Sequence, residues 1–228
     1  MTEGLEQGIL IGMIATGIRL ATPYLLAALG EMLSQPAGVF NLGLEGIMLM
    51  GAFAGFYITY VSQSPLLGLL AAIVTGGLMG LLMAFVSVTL QAEQGISGIG
   101  LSMLGWGLSG LFFRLYVDGI QSIAGLKAWK IPGLGDIPIV GPMFFNHHFI
   151  VYFAFLLVPF LWFVLFRTTW GLSVRAVGMT PQAVDTMGVS VSGLRYQCLI
   201  LGGMLAGLAG ATLTVANTHM FADNITAG

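Results

Sequence analysis

Six long apolar segments dominate this chain and limit what it can fold into. Each is close to the ~20 residues that an α-helix needs to cross the ~30 Å hydrocarbon core of a bilayer. Only 7% of the 228 residues are charged, against roughly 25% in soluble domains, so the chain cannot cover a water-facing surface. We therefore predict an all-α, polytopic membrane helical bundle, with residues 1–228 forming a single transmembrane domain. The predicted spans are Gly8–Leu29, Leu42–Val61, Pro65–Leu90, Ile96–Val117, Phe149–Phe166 and Tyr196–Ala216.

Small residues recur inside these segments at the four-residue spacing of closely packed membrane helices. One such pair is weak evidence, because glycine is common in membrane helices, but several together indicate a compact bundle. We interpret these glycines as packing residues. The pairs are Gly8/Gly12, Gly51/Gly55, Gly76/Gly80 and Gly203/Gly207, the last extended by Ala206/Gly210.

Two long stretches interrupt the apolar pattern, Asp118–His148 and Thr168–Arg195. The first is rich in glycine and proline, has no helical periodicity, and is interpreted as an ordered loop or a re-entrant cover. The two stretches carry similar numbers of basic residues, so the positive-inside rule does not orient the protein.

A short helix, Pro181–Met187, is predicted inside the second stretch. Thr180 is placed at its N-cap, Pro181 at the first helical position and Gly188 just past the last turn. Because about two helical turns are not stable alone in water, we expect this helix to dock against another surface.

Charged side chains within apolar segments need a reason, since each costs roughly 2.5–3.5 kcal/mol at the centre of a membrane helix. Arg19 either faces a polar path, pairs with Glu31 or Glu45, or extends toward the membrane surface. Glu45 follows Asn41, which could cap the second span and place Glu45 at the positive end of the helix dipole. A role for Asn41 and Glu45 in a transport path is equally compatible with the sequence.

Trp106 lies in mid-span between Gly105 and Gly107. Its ring either stacks on a ring-shaped solute or fills the space that the glycines leave. Ser97, Ser102 and Asn217 are further polar candidates for a solute path.

Catalytic and metal-binding motifs have little support. His147 and His148 are adjacent and have no acidic residue or cysteine three or four positions away, so we interpret them as interfacial. Cys198, the single cysteine, is interpreted as a packing residue. No P-loop motif occurs, and a net charge of −2 argues against a nucleic-acid partner.

Several motifs resemble one transporter family. Residues 34–53, SQPAGVFNLGLEGIMLMGAF, are similar to the signature of permease subunits of bacterial ATP-binding-cassette (ABC) importers of the branched-chain amino acid and simple-sugar type. The nucleoside and simple-sugar branch, which typically reads close to ERxGVxNIGLEGMMLMGA, is the most similar. Residues 170–196, WGLSVRAVGMTPQAVDTMGVSVSGLRY, resemble the family's cytoplasmic loop WGLxxRAVGENPxAAxxxGIxVxRxRY. PGLGDIPIVGP, LILGGMLAGLAGA and the terminal NITAG also fit, so the resemblance extends from about Leu20 to the end.

The chain departs from the family pattern at three places. Gln35-Pro36 replaces the usual Glu-Arg, and Met179-Thr180 replaces the usual Glu-Asn. Family members usually continue past the position of Gly228 with Arg-Gly and about two more hydrophobic segments. We therefore expect either a C-terminally incomplete sequence or an unusually short member.

The resemblance implies a transport subunit, not an enzyme. Two permease chains, identical or paralogous, would form the pore in the bacterial inner membrane. A cytoplasmic ABC ATPase would carry ATP and Mg²⁺, leaving no cofactor on this chain, and a solute-binding protein or lipoprotein would deliver solute outside. The stretch 168–195 would be cytoplasmic, with Asp118–His148 and the N-terminus outside. Coupling to the ATPase is expected of Arg175, Thr180, Pro181, Ala183, Val184, Met187 and Gly188.

Other functions remain open at this stage. The chain could be a branched-chain amino acid permease of the same family, or a stand-alone secondary carrier or channel, for which Glu45 is the one candidate coupling group. An intramembrane enzyme has only the histidine pair in its favour. The residues do not name the solute.

Overall fold

A computed structural model describes residues 2–117, 121–126, 129–130, 140–222 and 224–226, with backbone alone for 2–8, 130, 140 and 142. Within these residues, six helices are long and apolar enough to cross a membrane. The predicted all-α membrane bundle is therefore confirmed. The long helices are α1 (Thr2–Ser34), α2 (Leu44–Ser62), α3 (Pro65–Ala84), α4 (Gln94–Tyr116), α6 (Phe149–Arg167) and α9 (Val191–Ala211).

Shorter elements connect these helices. A 3₁₀ turn, Gln35–Ala37, follows α1, and wider π-helical turns extend α3 through Phe85–Thr89 and α9 through Thr212–Thr218. The remaining elements are β1 (Trp129–Lys130), α5 (Val140–Phe144), β2 (Asn146–His147), α7 (Thr169–Met179) and α8 (Pro181–Thr186), with β1 and β2 paired antiparallel.

Local sequence explains where several helices begin. Pro65 occupies the first position of α3, where its missing N–H costs no helical hydrogen bond. The Glu93 carboxylate caps α4 by accepting from the backbone N–H groups of Gly95 and Ile96. Ser190 caps α9 by accepting from the N–H of Gly193 at 3.1 Å. These caps satisfy donors that a helix start leaves unpaired.

Helix α9 is the centre of the bundle. In its most apolar 18-residue window 72% of residues are buried, against 22% in α1 and α4. Its glycines face the glycines of its neighbours: a Cβ atom added at Gly203 would overlap the carbonyl oxygen of Gly76 on α3, and one added at Gly51 on α2 would overlap that of Gly207. Close backbone approach is thus the reason for these glycines.

The packing interpretation holds for Gly51/Gly55, Gly76/Gly80 and Gly203/Gly207, whose added Cβ atoms would meet neighbouring helices. Gly12 is different, because no described atom lies within 4 Å of its added Cβ. The prediction that Gly12 packs tightly is therefore wrong within the described part of the chain. The physical reason is that the outer half of α1 lies at the edge of the bundle, where Ile9, Leu10 and Met13 are exposed.

The connections gather at two opposite ends of the bundle. At one end, the connection between α1 and α2 contacts both α4 and α9. The Phe40 N–H donates to Gln94 Oε1 of α4 at 2.9 Å, and Arg195 Nε of α9 donates to the Ala37 carbonyl at 3.2 Å. At the other end, Ile123 N–H donates to the His219 carbonyl at 2.9 Å. The bundle therefore has one face formed by the stretches around 35–41, 91–95 and 168–195, and another formed by 121–126 and 219–222.

Several predicted boundaries differ from the structure; for example, α9 begins at Val191, before the predicted Tyr196. Helix α1 continues to Ser34, five residues beyond the predicted end at Leu29. The 168–195 stretch contains a second helix, α7, that was not predicted. Val174 and Val177 are buried on α7, so part of this stretch belongs to the core.

The 118–148 stretch also contains more regular structure than expected, namely α5 and the β1–β2 pair. Residues 118–120, 127–128 and 131–139 of that stretch lie outside the described residues. His147 is buried, and its Nε2 lies 2.7 Å from the Met143 carbonyl oxygen. The His147 ring therefore packs inside the β1–α6 connection, and its interfacial position stays a prediction.

Candidate functional site

A cleft lies between the start of α2 and helix α4, and we call it the Trp106 cleft. Its volume is about 540 Å³, and its lining includes Glu45, Ser102, Trp106 and Asn224. Trp106 is 57% exposed, so it borders open space and does not fill a notch between glycines. The Ser102 hydroxyl donates to the Leu42 carbonyl at 3.1 Å, which ties α4 to the turn before α2.

A second cleft adjoins the first, and we call it the Glu31 cleft. Its volume is about 360 Å³, and it is lined by Tyr24, Glu31, Asn41 and Thr226 together with apolar residues. Leu42 and Glu45 line both clefts. Glu45 therefore lies between two cavities, in the first turn of α2, where the helix dipole favours its negative charge.

Asn41 holds the turn that enters α2. It is 3% exposed, its Oδ1 accepts from the Gly43 N–H at 3.0 Å, and its own N–H donates to Glu31 Oε1 at 3.2 Å. Asn41 thus stabilises the turn before α2, whereas Gly43, with no side-chain cap, occupies the N-cap position. The helix-capping role proposed for Asn41 is wrong in detail, because α2 starts two residues too late for it.

The polar path residues predicted from sequence fall into two groups. Asn41, Glu45, Ser102 and Trp106 come together at the two clefts. Ser97 and Asn217 do not line these clefts: the Ser97 hydroxyl donates to the Glu93 carbonyl at 2.7 Å, and the Asn217 side-chain amide donates to the Arg19 carbonyl at 3.4 Å. The clefts also contain Glu31, which sequence analysis considered only as a partner of Arg19.

Arg19 does not make the ion pair that the sequence suggested. Among the described residues, no ion pair joins it to Glu31 or Glu45, and its buried Nε has no hydrogen-bond partner there. Its backbone meets Asn217, near the end of the bundle that carries His219. Glu31 and Glu45 lie at the opposite end, which explains why the pair does not form.

Helix α8 presents two different faces. Val184 is 6% exposed and packs with Leu165, Val177 and Leu194, so it anchors α8 to this chain. Ala183 is exposed on α8, and Met179 and Met187 on either side of it are 84% and 82% exposed. The expectation that Val184 faces a partner is therefore wrong, since its side chain is already buried within the chain.

The ends of α8 also refine the prediction. The helix ends at Thr186, one residue before the predicted end, and the Thr180 side chain makes no capping hydrogen bond. Gly188 has φ +79°, the left-handed conformation expected at that position. Arg175 lies on α7 with its guanidinium 4.9 Å from the Phe166 ring centroid, so it packs α7 on α6 and is not part of the exposed α8 face.

The α7–α8 region touches the connection that leads to the clefts. A Cβ atom added at Gly178 would overlap the Pro36 carbonyl oxygen, and one added at Gly38 would lie 3.2 Å from Gly178 Cα. Gly38 also has φ +76°, which only glycine adopts freely. Both internal departures from the family pattern, Gln35-Pro36 and Met179-Thr180, thus lie at or next to the backbone contact between Pro36 and Gly178.

A family model described as the permease component of branched-chain amino acid transport systems matches residues 13–228. The chain belongs to this permease family. The permease is 40% identical over 221 residues to a putative glucose ABC transporter permease of Haloferax volcanii, covering 95% of this chain and 67% of that protein. It is 36% identical to the guanosine ABC transporter permease NupQ of Bacillus subtilis, covering 87% of this chain and 67% of the relative.

A third relative is the nucleoside ABC transporter permease NupC of Lactococcus lactis, 34% identical over 95% of this chain and 71% of its own length. The permease chain thus spans about two thirds of each of these relatives. In each of these organisms, a second permease protein named for the same solute is less similar, at 28%, 26% and 23% identity. No solved structure matches the chain.

Proposed function

We propose that this multi-pass permease is a transmembrane subunit of an ABC importer that moves a nucleoside or a simple sugar across the cytoplasmic membrane of a bacterium. The observation that carries the proposal is the 34–40% identity, over at least 87% of the chain, to permeases named for glucose, guanosine and nucleosides. A cytoplasmic ATPase binds ATP and Mg²⁺, so this chain needs no cofactor of its own. A solute-binding protein or lipoprotein delivers the solute from outside.

The second permease chain in the pore is a paralogue. This proposal is supported by the pairs of relatives, because the chain is more similar to one member in each of three organisms: 40% against 28%, 36% against 26%, and 34% against 23%. A chain that pairs with itself would not need a consistent resemblance to one partner of each pair. The chain therefore takes the place of the more similar member.

The exposed face of α8 is the docking surface for the ATPase. Met179, Ala183 and Met187 leave apolar side chains unburied at an end of the bundle where a polar cleft of about 370 Å³ separates α8 from the α3–α4 connection. Movement of α8 reaches the clefts through Gly178 and Arg195, which contact the Pro36–Gly38 turn. That turn leads directly to Asn41 and Glu45. This assignment places the α8 end of the bundle in the cytoplasm.

Reconstitution tests the proposal. The permease is purified with a paralogous permease, an ATPase and a binding protein from the same genome, and placed in proteoliposomes. We expect uptake of guanosine or glucose that requires ATP on the cytoplasmic side and fails when any subunit is left out. Uptake by the permease alone, driven by a sodium or proton gradient, would refute the importer and favour a secondary carrier. Uptake of leucine in place of these solutes would refute the solute class.

A further inference from the structure

Two buried oxygen atoms in the Glu31 cleft have no hydrogen-bond partner among the described atoms. They are Glu31 Oε2 and the hydroxyl of Thr226, a residue that is 6% exposed. Both residues line the same cleft. Buried polar atoms in folded proteins are nearly always paired, so two unpaired oxygens on residues that line one cleft point to a polar partner at this cleft.

The Glu31 carboxylate is held in a fixed position. Its Oε1 accepts from the Asn41 N–H at 3.2 Å, and Asn41 is itself fixed by its bond to Gly43. Because one carboxylate oxygen is committed to the backbone, the other is directed elsewhere without rearrangement. A ligand group that donates to Oε2 therefore meets a preorganised acceptor, which reduces the entropy cost of binding.

The rest of the cleft favours an organic ring over a bare ion. Its volume of about 360 Å³ is far larger than a metal ion, and Phe40, Leu44 and Met48 give it an apolar wall. Clefts of this size with a few convergent polar groups are typical of small-molecule sites. Glu45 adds a second carboxylate to the lining, and ionised carboxylates only accept hydrogen bonds. The cleft therefore favours a ligand that donates hydrogen bonds.

We infer that the Glu31 cleft binds vicinal hydroxyl groups of the transported solute, with Glu31 and Glu45 accepting from the hydroxyls and Thr226 pairing with one of them. The inference rests on the proposed function and deepens it, since ribose rings of nucleosides and pyranose rings of sugars share adjacent hydroxyl groups. One cleft can then recognise the sugar ring of either class while the apolar wall covers its face.

Cysteine protection tests the inference without ATP or a binding protein. Leu44, a half-buried apolar residue of the lining, is replaced by cysteine in the assembled transporter, and its reaction with a small methanethiosulfonate is followed on this chain. The native Cys198 is fully buried and contributes little background. We expect guanosine to slow labelling and 2′,3′-dideoxyguanosine, which lacks both ring hydroxyls, to need an about tenfold higher concentration.

The variant Glu31→Gln, added to Leu44→Cys, should remove this discrimination, so that both nucleosides protect equally poorly. Glu6→Gln is the matched control, because its position in the same helix lies 25 residues before Glu31, about 37 Å along the helix axis at 1.5 Å per residue, and it should retain full discrimination. If Glu31→Gln does not assemble, Thr226→Val and Thr226→Ser are compared in its place. Valine removes the hydroxyl group and serine keeps it, so only Thr226→Val is expected to weaken guanosine protection, by about tenfold.

Three results would overturn the inference: equal protection by the two nucleosides in the unmodified cleft, discrimination that survives both Glu31→Gln and Thr226→Val, or protection by sodium ions in place of guanosine. Failure of ATP-driven uptake would count against the proposed importer, while the labelling result, which needs no ATP, would still decide the role of the cleft. The two failures are therefore distinguishable.

Discussion

The Glu93 side chain caps the start of α4, at the turn between α3 and α4. The N–H groups of Ile96 and Gly95, in that order of effect, hold the pKa of this exposed carboxylate below its usual value. Both bonds require the ionised form. Because α4 carries Ser102 and Trp106, a secure start to α4 keeps the wall of the Trp106 cleft in place.

This lowered pKa has a pH consequence at the same residue. A carboxyl group whose pKa is lower in the folded state stabilises the protein above its unfolded pKa, and that contribution is lost as the pH falls through the folded pKa. We expect Glu93→Gln to melt at a lower temperature than the wild type at pH 7, and the difference to shrink below about pH 4.5, near the ordinary pKa of glutamate. Melting curves of the detergent-solubilised permease at pH 4 to 8 measure this. A difference that stays constant over that range would contradict the capping role.

The residues around the clefts show which site residues can be predicted from the sequence and which cannot. Asn41, Glu45, Ser102 and Trp106 could be chosen as candidates because polar or bulky groups are costly or unusual inside apolar segments. Glu31 is not among the predicted path residues, because it lies beyond the predicted end of the first span at Leu29. The Glu31 carboxylate reaches Asn41 only because α1 continues to Ser34. No local sequence pattern predicts that contact.

The proposed docking of the ATPase on helix α8 makes opposite predictions for the two faces of the helix. Ala183→Asp places a charge on an exposed apolar surface, so we expect normal thermal stability but at least a tenfold loss of ATP-driven uptake. Val184→Asp buries a charge among Leu165, Val177 and Leu194, which costs roughly 3 kcal/mol or more. Melting temperature and uptake, measured on both variants, separate the two effects.

A matched control for this pair is Ser173→Asp, which changes a half-buried residue of α7 away from the α8 face. Uptake close to the wild type is expected there. Wild-type uptake in Ala183→Asp would instead remove α8 as the docking surface.

Helix α7 is the part of the 168–195 stretch that is not predicted from the sequence. Gly171, Val174 and Val177 are buried at helical spacing, a signal that the sequence contains. The polar and charged residues between them obscure this signal in the sequence. The left-handed turn at Gly188, by contrast, was predictable from one residue, since glycine alone adopts that conformation without strain.

At the scale of the whole molecule, the α8 end and the clefts are joined by one backbone contact, at Gly178, and by one side-chain hydrogen bond, from Arg195. Gly178 touches the Pro36 carbonyl, and Arg195 holds the Ala37 carbonyl. Rigid backbone contacts transmit a displacement with little loss, because packed interiors are poorly compressible. The six spans were predictable from apolar length, but this link joins residues 142 positions apart (Pro36 and Gly178) and 158 positions apart (Ala37 and Arg195), and needs the folded structure.

Gly178→Ala tests the link. The added methyl group overlaps the Pro36 carbonyl oxygen, so we expect a loss of about 1–3 kcal/mol in stability and a severalfold fall in solute moved per ATP hydrolysed. Gly12→Ala is the control, because its added Cβ meets no described atom within 4 Å and alanine favours helix. Parallel measurements of ATP hydrolysis and uptake give the ratio. An unchanged ratio in Gly178→Ala would rule out transmission through this contact.

The central position of α9 also constrains how the permease is made. α1, α2 and α3 pack against α9, yet α9 begins at Val191, long after α3 ends at Ala84. At about 5–20 residues per second, roughly 5–20 s separate the synthesis of these partners. During that interval the glycine surfaces of α2 and α3 have no helix to receive them. Membrane insertion of the first helices and assembly of the bundle are therefore distinct events. A chaperone or quality-control protease that acts during this interval encounters inserted helices that have not yet packed around α9.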